Sequence, residues 1–118
     1  MTLRRAKMPI LKKRADFLRL RKGKSVGTSA YLLASLDRKD GAQGYRVGFT
    51  VTKKLGNAVV RNRIRRRLRE AARQTFPDYG ASGHDYVFIA RKGALTRPFT
   101  ELLDDMKRSL LSLSQTPK

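Results

Sequence analysis

Nine basic side chains fall between residues 53 and 73: Lys53, Lys54, Arg61, Arg63, Arg65, Arg66, Arg67, Arg69 and Arg73, against the single acid Glu70. Arginine's planar fork binds phosphate through paired hydrogen bonds and stacks on bases. On a helix, Arg65 with Arg69 and Arg69 with Arg73 repel by roughly a few tenths of a kcal/mol each. A phosphate backbone relieves the whole set. These residue types point to holding a polyanion, not to breaking bonds.

Other chemistry is excluded by inventory. The chain has no cysteine and one histidine, His84. That removes thiolate and multi-histidine metal sites and nearly excludes Ser-His-Asp or Cys-His catalysis. His84 reads as a turn residue beside Asp85. Asp37, Asp40 and Asp78 fall in turns, where aspartate bonds locally. Asp104 and Asp105 read as solvated helix surface. No carboxylate cluster emerges, so neither a catalytic residue nor a protein-held metal is expected.

The charge is concentrated. The net is 28 − 9 = +19 over 118 residues. Residues 1–24 hold ten cations against Asp16, for +9, and residues 53–73 add +8. Two basic footprints joined by a nearly neutral scaffold describe a nucleic-acid binder. Phe17 and Tyr31 lie near basic residues and either stack on a base or belong to the core. No apolar run reaches the ~18 residues of a membrane span. The basic start superficially resembles a transit peptide, but the residues that follow read as part of the fold, and without an apolar h-region secretion is not expected, so a cytoplasmic address is expected.

A chain of this length forms a single domain. Residues 1–11 read as a basic arm and 114–118 as a frayed tail. A short helix is expected over Lys12–Lys22, with Phe17 and Leu20 on one face and Gly23 ending it. Strands are expected at Thr28–Leu36, with Ala30, Leu32, Ala34 and Leu36 on one face and Ser29, Tyr31, Leu33 and Ser35 on the other, and at Tyr45–Thr52, where apolar and polar residues alternate. Asn57 can cap a helix from Ala58 to Phe76, stopped by Pro77. Val60, Ile64, Leu68, Ala71 and Thr75 share its inner side. Asn62, Arg66, Arg69 and Arg73 lie opposite, flanked by Arg63 and Arg65.

A third strand, Asp85–Arg91, is apolar on both faces and therefore central. Pro98 opens a last helix with an apolar side of Leu102, Leu103, Met106, Leu110, Leu111 and Leu113. The order is helix, strand, strand, helix, strand, helix: one α/β (α+β) sandwich with a small central sheet. Flanking strands argue against a helix-turn-helix, and the helix's apolar side is committed to the sheet rather than to a membrane.

The stretch Gly48–Arg69, GFTVTKKLGNAVVRNRIRRRLR, resembles the protein subunit of bacterial ribonuclease P. Arg61-Asn62-Arg63 matches the family's hallmark in its basic helix, with Ala58 ahead and Ile64-Arg65-Arg66 after. Lys53-Lys54-Leu55-Gly56-Asn57, Phe88-Ile89-Ala90-Arg91-Lys92-Gly93 and Ala15-Asp16-Phe17 also look like the family. The resemblance spans roughly residues 11–113.

It implies a left-handed β-α-β crossover, where the general rule alone gives a right-handed one. It also implies that the protein joins a catalytic RNA and helps remove the 5′ leader of precursor tRNA. The Mg²⁺ would be held chiefly by RNA, and no obligate protein partner is evident. Carried over, Arg61, Asn62, Arg63, Arg66 and Arg67 contact the catalytic RNA, with Lys53 and Lys54 nearby and Arg65, Arg69 and Arg73 on the same basic helix. Phe17 and Tyr31 line a leader cleft. Many relatives have a second aromatic one turn after the Phe17 position. Here that turn is Leu20-Arg21, and Arg21 would stack in its place. Two other readings stay open: a structural RNA-binding protein, such as a ribosomal one, and a stand-alone nuclease.

Overall fold

The computed structural model describes residues 24–37 and 44–114. The expected basic arm, the helix carrying Phe17 and Arg21, and the tail from 115 lie outside the described residues. Four strands appear among them: β1 (Lys24–Gly27), β2 (Tyr31–Asp37), β3 (Arg46–Thr50) and β4 (His84–Ala90). They form one sheet in the order β1-β2-β4-β3. β2 pairs antiparallel with both neighbours, and β3 runs parallel to β4.

β1 was not expected as a separate strand. The chain doubles back at Thr28, whose hydroxyl accepts the N–H groups of Ala30 and Tyr31 at 3.1 and 3.2 Å. That turn splits the predicted Thr28–Leu36 strand from its partner, and β2 begins at Tyr31. The alternation itself is as read: Tyr31, Leu33 and Ser35 are buried, while Leu32, Ala34 and Leu36 are half-buried.

After β3 a 3-10 turn, Lys53–Leu55, leads through Gly56 into α1 (Ala58–Tyr79). Gly56 has φ 144°, and a Cβ there would lie 2.9 Å from Val60. Glycine is the residue that fits. The Asn57 side chain accepts the Val60 N–H at 3.0 Å, the expected cap. α1 does not stop at Pro77. It runs to Tyr79 and closes with the Gly80 N–H on the Phe76 carbonyl at 2.7 Å. A proline costs a helix one N–H bond, but Pro77 is exposed in the last turn. Buried Phe76 anchors that turn, with ring contacts to Tyr45, Tyr86 and Phe88.

β4 takes the expected central place. Its Tyr86, Phe88 and Ala90 join the core cluster, and Val87 packs with Ala34 and Leu36 in a separate smaller cluster. Ile89 is 38% exposed, so coverage along β4 is incomplete. A single turn, α2 (Gly93–Thr96), precedes α3 (Phe99–Ser114). Pro98 sits one residue ahead of α3, where its carbonyl accepts the Leu102 N–H at 2.9 Å. α1 and α3 pack against each other and share a core with the sheet. Ile64, Leu68, Ala71 and Phe76 meet Leu102, Met106 and Leu110 beside Leu33, Val47 and Phe88. Leu111, expected on the apolar side, is 42% exposed.

Candidate RNA interface

α1 starts where β3 ends and runs back across the sheet. Its first turn holds no acid, and Asn57 supplies only a neutral cap. The positive end of the helix dipole therefore coincides with Arg61, with Arg63 just beyond the first turn, a charge arrangement that an anion relieves. The buried stripe of Ile64, Leu68, Ala71, Ala72 and Thr75 fixes which way the helix faces. Asn62, Arg63, Arg66, Arg69 and Arg73 are exposed, and so are Lys53 and Lys54 on the 3-10 turn. Val59, 74% exposed, lies among them.

The arginines are not equivalent. Arg61 is half-buried, its Nε–H donating to the Gly56 carbonyl at 3.2 Å. Arg65 donates to the Asn62 side-chain oxygen at 2.9 Å. Arg69 lies over the Phe49 ring, 5.8 Å from its centroid, and Phe49 in turn stacks on Phe88. Arg73 pairs with Glu70 at 2.7 Å, where exposure on both sides keeps the energy small. Arg67 departs from the expected RNA set. Its Nε–H donates to the Ala94 carbonyl at 2.9 Å and a second nitrogen to the Arg97 carbonyl.

Two cations outside the expected set join this end of the molecule. Tyr31 pairs with Ala90 and Thr50 with Ile89, so β4 ends level with β3. Arg91 and Lys92, both exposed, therefore emerge on the side where the 3-10 turn and the start of α1 lie. No local signal in the sequence announces this placement, which depends on the parallel β3–β4 register.

Tyr31 is not a cleft-lining ring in this structure. It is 0% exposed and meets Phe88 edge-on at 5.1 Å, so no face is open to a base. Its hydroxyl lies 2.8 Å from the Ser109 oxygen, and burial pushes the phenol up to about 12. Phe17 and Arg21 lie outside the described residues.

Asp105 is likewise not solvated surface. It is 6% exposed, gripped by Arg97 at 2.7 and 3.0 Å and by Arg108 at 3.1 Å. The hydrogen bond from Arg97 holds its carboxyl below the usual range. Asp85 is 0% exposed and bridged by Arg46 at 2.8 and 2.7 Å. Both buried carboxylates among the described residues thus face arginines. Among the described residues no group of three or more His, Cys, Asp or Glu could hold a metal ion. The described side chains therefore do not fit a Mg²⁺ site. No described helix is long and apolar enough to cross a membrane.

The chain matches the family described as Ribonuclease P over residues 6–114. It is 49% identical over 106 residues to the ribonuclease P protein component of Ruegeria pomeroyi, covering 88% of this chain and 85% of that protein. The Caulobacter vibrioides ribonuclease P protein component is 50% identical over 104 residues, covering 88% and 70%. Among solved structures, the Staphylococcus aureus RNase P protein superposes with a TM-score of 0.74 at 31% identity, covering 92% of this chain and 97% of that one. The Thermotoga maritima RNase P protein gives 0.69 at 27% identity, with the same coverage. The family match over most of the chain, the sequence identity and the shared fold together place it: the chain belongs to the family of the bacterial ribonuclease P protein component.

Proposed function

We propose that this chain, as the protein component of ribonuclease P, binds the enzyme's catalytic RNA through α1 and helps it remove the 5′ leader of precursor tRNA. The observation that carries this reading is the exposed basic ridge of Asn62, Arg63, Arg66, Arg69 and Arg73, flanked by Lys53 and Lys54, on a helix whose apolar side is already buried. Arg61 and Arg65 extend it from half-buried positions. Phe17 and Arg21 are the leader contacts in this reading, while Tyr31 supports the sheet from within the core.

The mechanism follows from charge. Leader and catalytic RNA are both polyanions that repel on docking. A protein of net charge +19 between them lowers that repulsion. Mg²⁺ chemistry belongs to the RNA in this reading, since both buried carboxylates of the described chain are engaged by arginines. If roughly six to ten phosphates are engaged, affinity falls about 10³–10⁵-fold between about 50 and 200 mM salt.

The test is cleavage of a 5′-extended precursor tRNA at low Mg²⁺. It compares protein alone, a bacterial ribonuclease P RNA alone, and both together. Cleavage at the mature 5′ end only with both is the expected result. No gain on adding protein, with the RNA active at high Mg²⁺, overturns the reading. Cleavage by scrupulously RNA-free protein replaces it with a protein nuclease.

A further inference from the structure

Arg67 stands apart from the other arginines of α1. Its guanidinium donates to the carbonyls of Ala94 and Arg97. The reason lies in α2. A one-turn helix leaves its last carbonyls without partners. Four residues after Ala94 comes Pro98, which has no N–H, and the Arg97 N–H already bonds the Gly93 carbonyl at 2.9 Å. The Ala94 carbonyl thus has no donor of its own helix to meet. Arg67 reaches across from α1 and supplies one.

The corner that Arg67 grips is also tied on its far side. The Arg97 side chain holds Asp105 through two hydrogen bonds at 2.7 and 3.0 Å, and Glu101 at 3.0 Å. α1, the α2 corner and α3 are therefore joined through one continuous polar path. The same corner opens with the exposed pair Arg91 and Lys92.

We propose that Arg67 is a positioning residue: it contacts no phosphate, and fixes the spacing between the α1 ridge and the Arg91–Lys92 corner so that both meet one RNA surface. Charged side chains are long and mobile. Their value in recognition depends on rigid anchorage of the elements that bear them. The inference rests on the RNA-binding reading above.

The test titrates the full-length protein against a bacterial ribonuclease P RNA over a range of salt, below each variant's melting temperature. Arg66→Ala supplies the reference for losing a phosphate contact, a slope flatter by about 0.7–0.9 units. Arg67→Met is expected to keep the wild-type slope and bind roughly 3- to 10-fold more weakly at every salt concentration. Arg67→Lys, which keeps a donor, recovers part of the loss. Asp105→Asn loosens Arg97 and moves affinity the same way by less, again at constant slope. It carries the test if Arg67→Met does not fold. A slope flattened as in Arg66→Ala makes Arg67 a phosphate contact and overturns the proposal. Wild-type affinity with only a lowered melting temperature makes it a fold residue and also overturns it. A wild-type protein without steep salt dependence removes the RNA reading itself, and the proposal with it.

Discussion

Tyr31 donates its hydroxyl hydrogen to the Ser109 oxygen at 2.8 Å, across 78 positions of chain. The direction is settled by Ser109, whose own proton goes to the Asp105 carbonyl at 2.8 Å. This contact binds β2 to α3 inside the core.

Tyr31→Phe should cost about 1 kcal/mol of stability, the net worth of a buried hydrogen bond. Urea denaturation measures it. Leader-dependent cleavage should be unchanged while the protein is folded. Lost preference for leader-bearing substrate at unchanged stability would return Tyr31 to the cleft. The phenol also predicts an alkaline transition. Its folded pKa, about 12, lies above the usual 10.0. The unfolded chain therefore ionises first, and this contribution to stability is lost as pH rises from about 10 toward 12. Absorbance of ionised tyrosine, followed with and without Tyr31→Phe, isolates it.

Asp105 predicts the acid side. Its carboxyl is held down by Arg97 first and Arg108 second, against the opposing effect of burial. A depressed folded pKa stabilises at pH above the unfolded value of about 3.9 and ceases to do so as pH falls through the folded value. Thermal melts should show Asp105→Asn destabilised at neutral pH, with the gap to wild type closing below about pH 4. A gap constant with pH would rule out the ion pair as its source.

Gly93→Ala tests the close approach of α2 to the β1–β2 turn. A Cβ there would lie 2.4 Å from the Ser29 carbonyl oxygen and 2.7 Å from its carbon. Both are backbone atoms, so the loop itself must shift. A loss of about 1–3 kcal/mol is expected, read by chemical denaturation. An unchanged midpoint would mean that the loop yields freely.

Arg61→Ala with Arg63→Ala should flatten the salt dependence of RNA binding by about one to two units. Arg63 is exposed, whereas Arg61 has one N–H committed to Gly56. The Arg63 single variant should therefore carry the larger share. Binding titrations at several salt concentrations decide it, and equal slopes for wild type and double variant would remove both residues from the phosphate contacts.

The parts of the fold legible in sequence were those written in local periodicity. The two faces of β2, the central place of β4, the Asn57 cap and the inner stripe of α1 each follow from residues close in the chain. The errors came where distant residues decide. Pro77 looked like a stop, but Phe76 holds the last turn through rings from β3's approach and β4. Asp105 looked solvated until Arg97, eight residues earlier, closed on it. Arg67 and Tyr31 carry side chains suited to RNA; in the structure Arg67 bonds the Ala94 carbonyl and Tyr31 bonds Ser109 on α3. Arg91 and Lys92 became neighbours of the basic helix through the parallel β3–β4 register, which no local signal announces.

The Tyr31–Ser109 and Arg97–Asp105 bonds also set an order for synthesis. Every strand of the described sheet precedes α3 in the chain. A growing polypeptide can complete all four strands and the arginine helix while Tyr31 still lacks its acceptor and Arg97 its carboxylate. Native closure must therefore wait for the last described helix to leave the ribosome. Until then the nascent chain carries its arginine-rich helix without its finished core, beside a machine built largely of RNA.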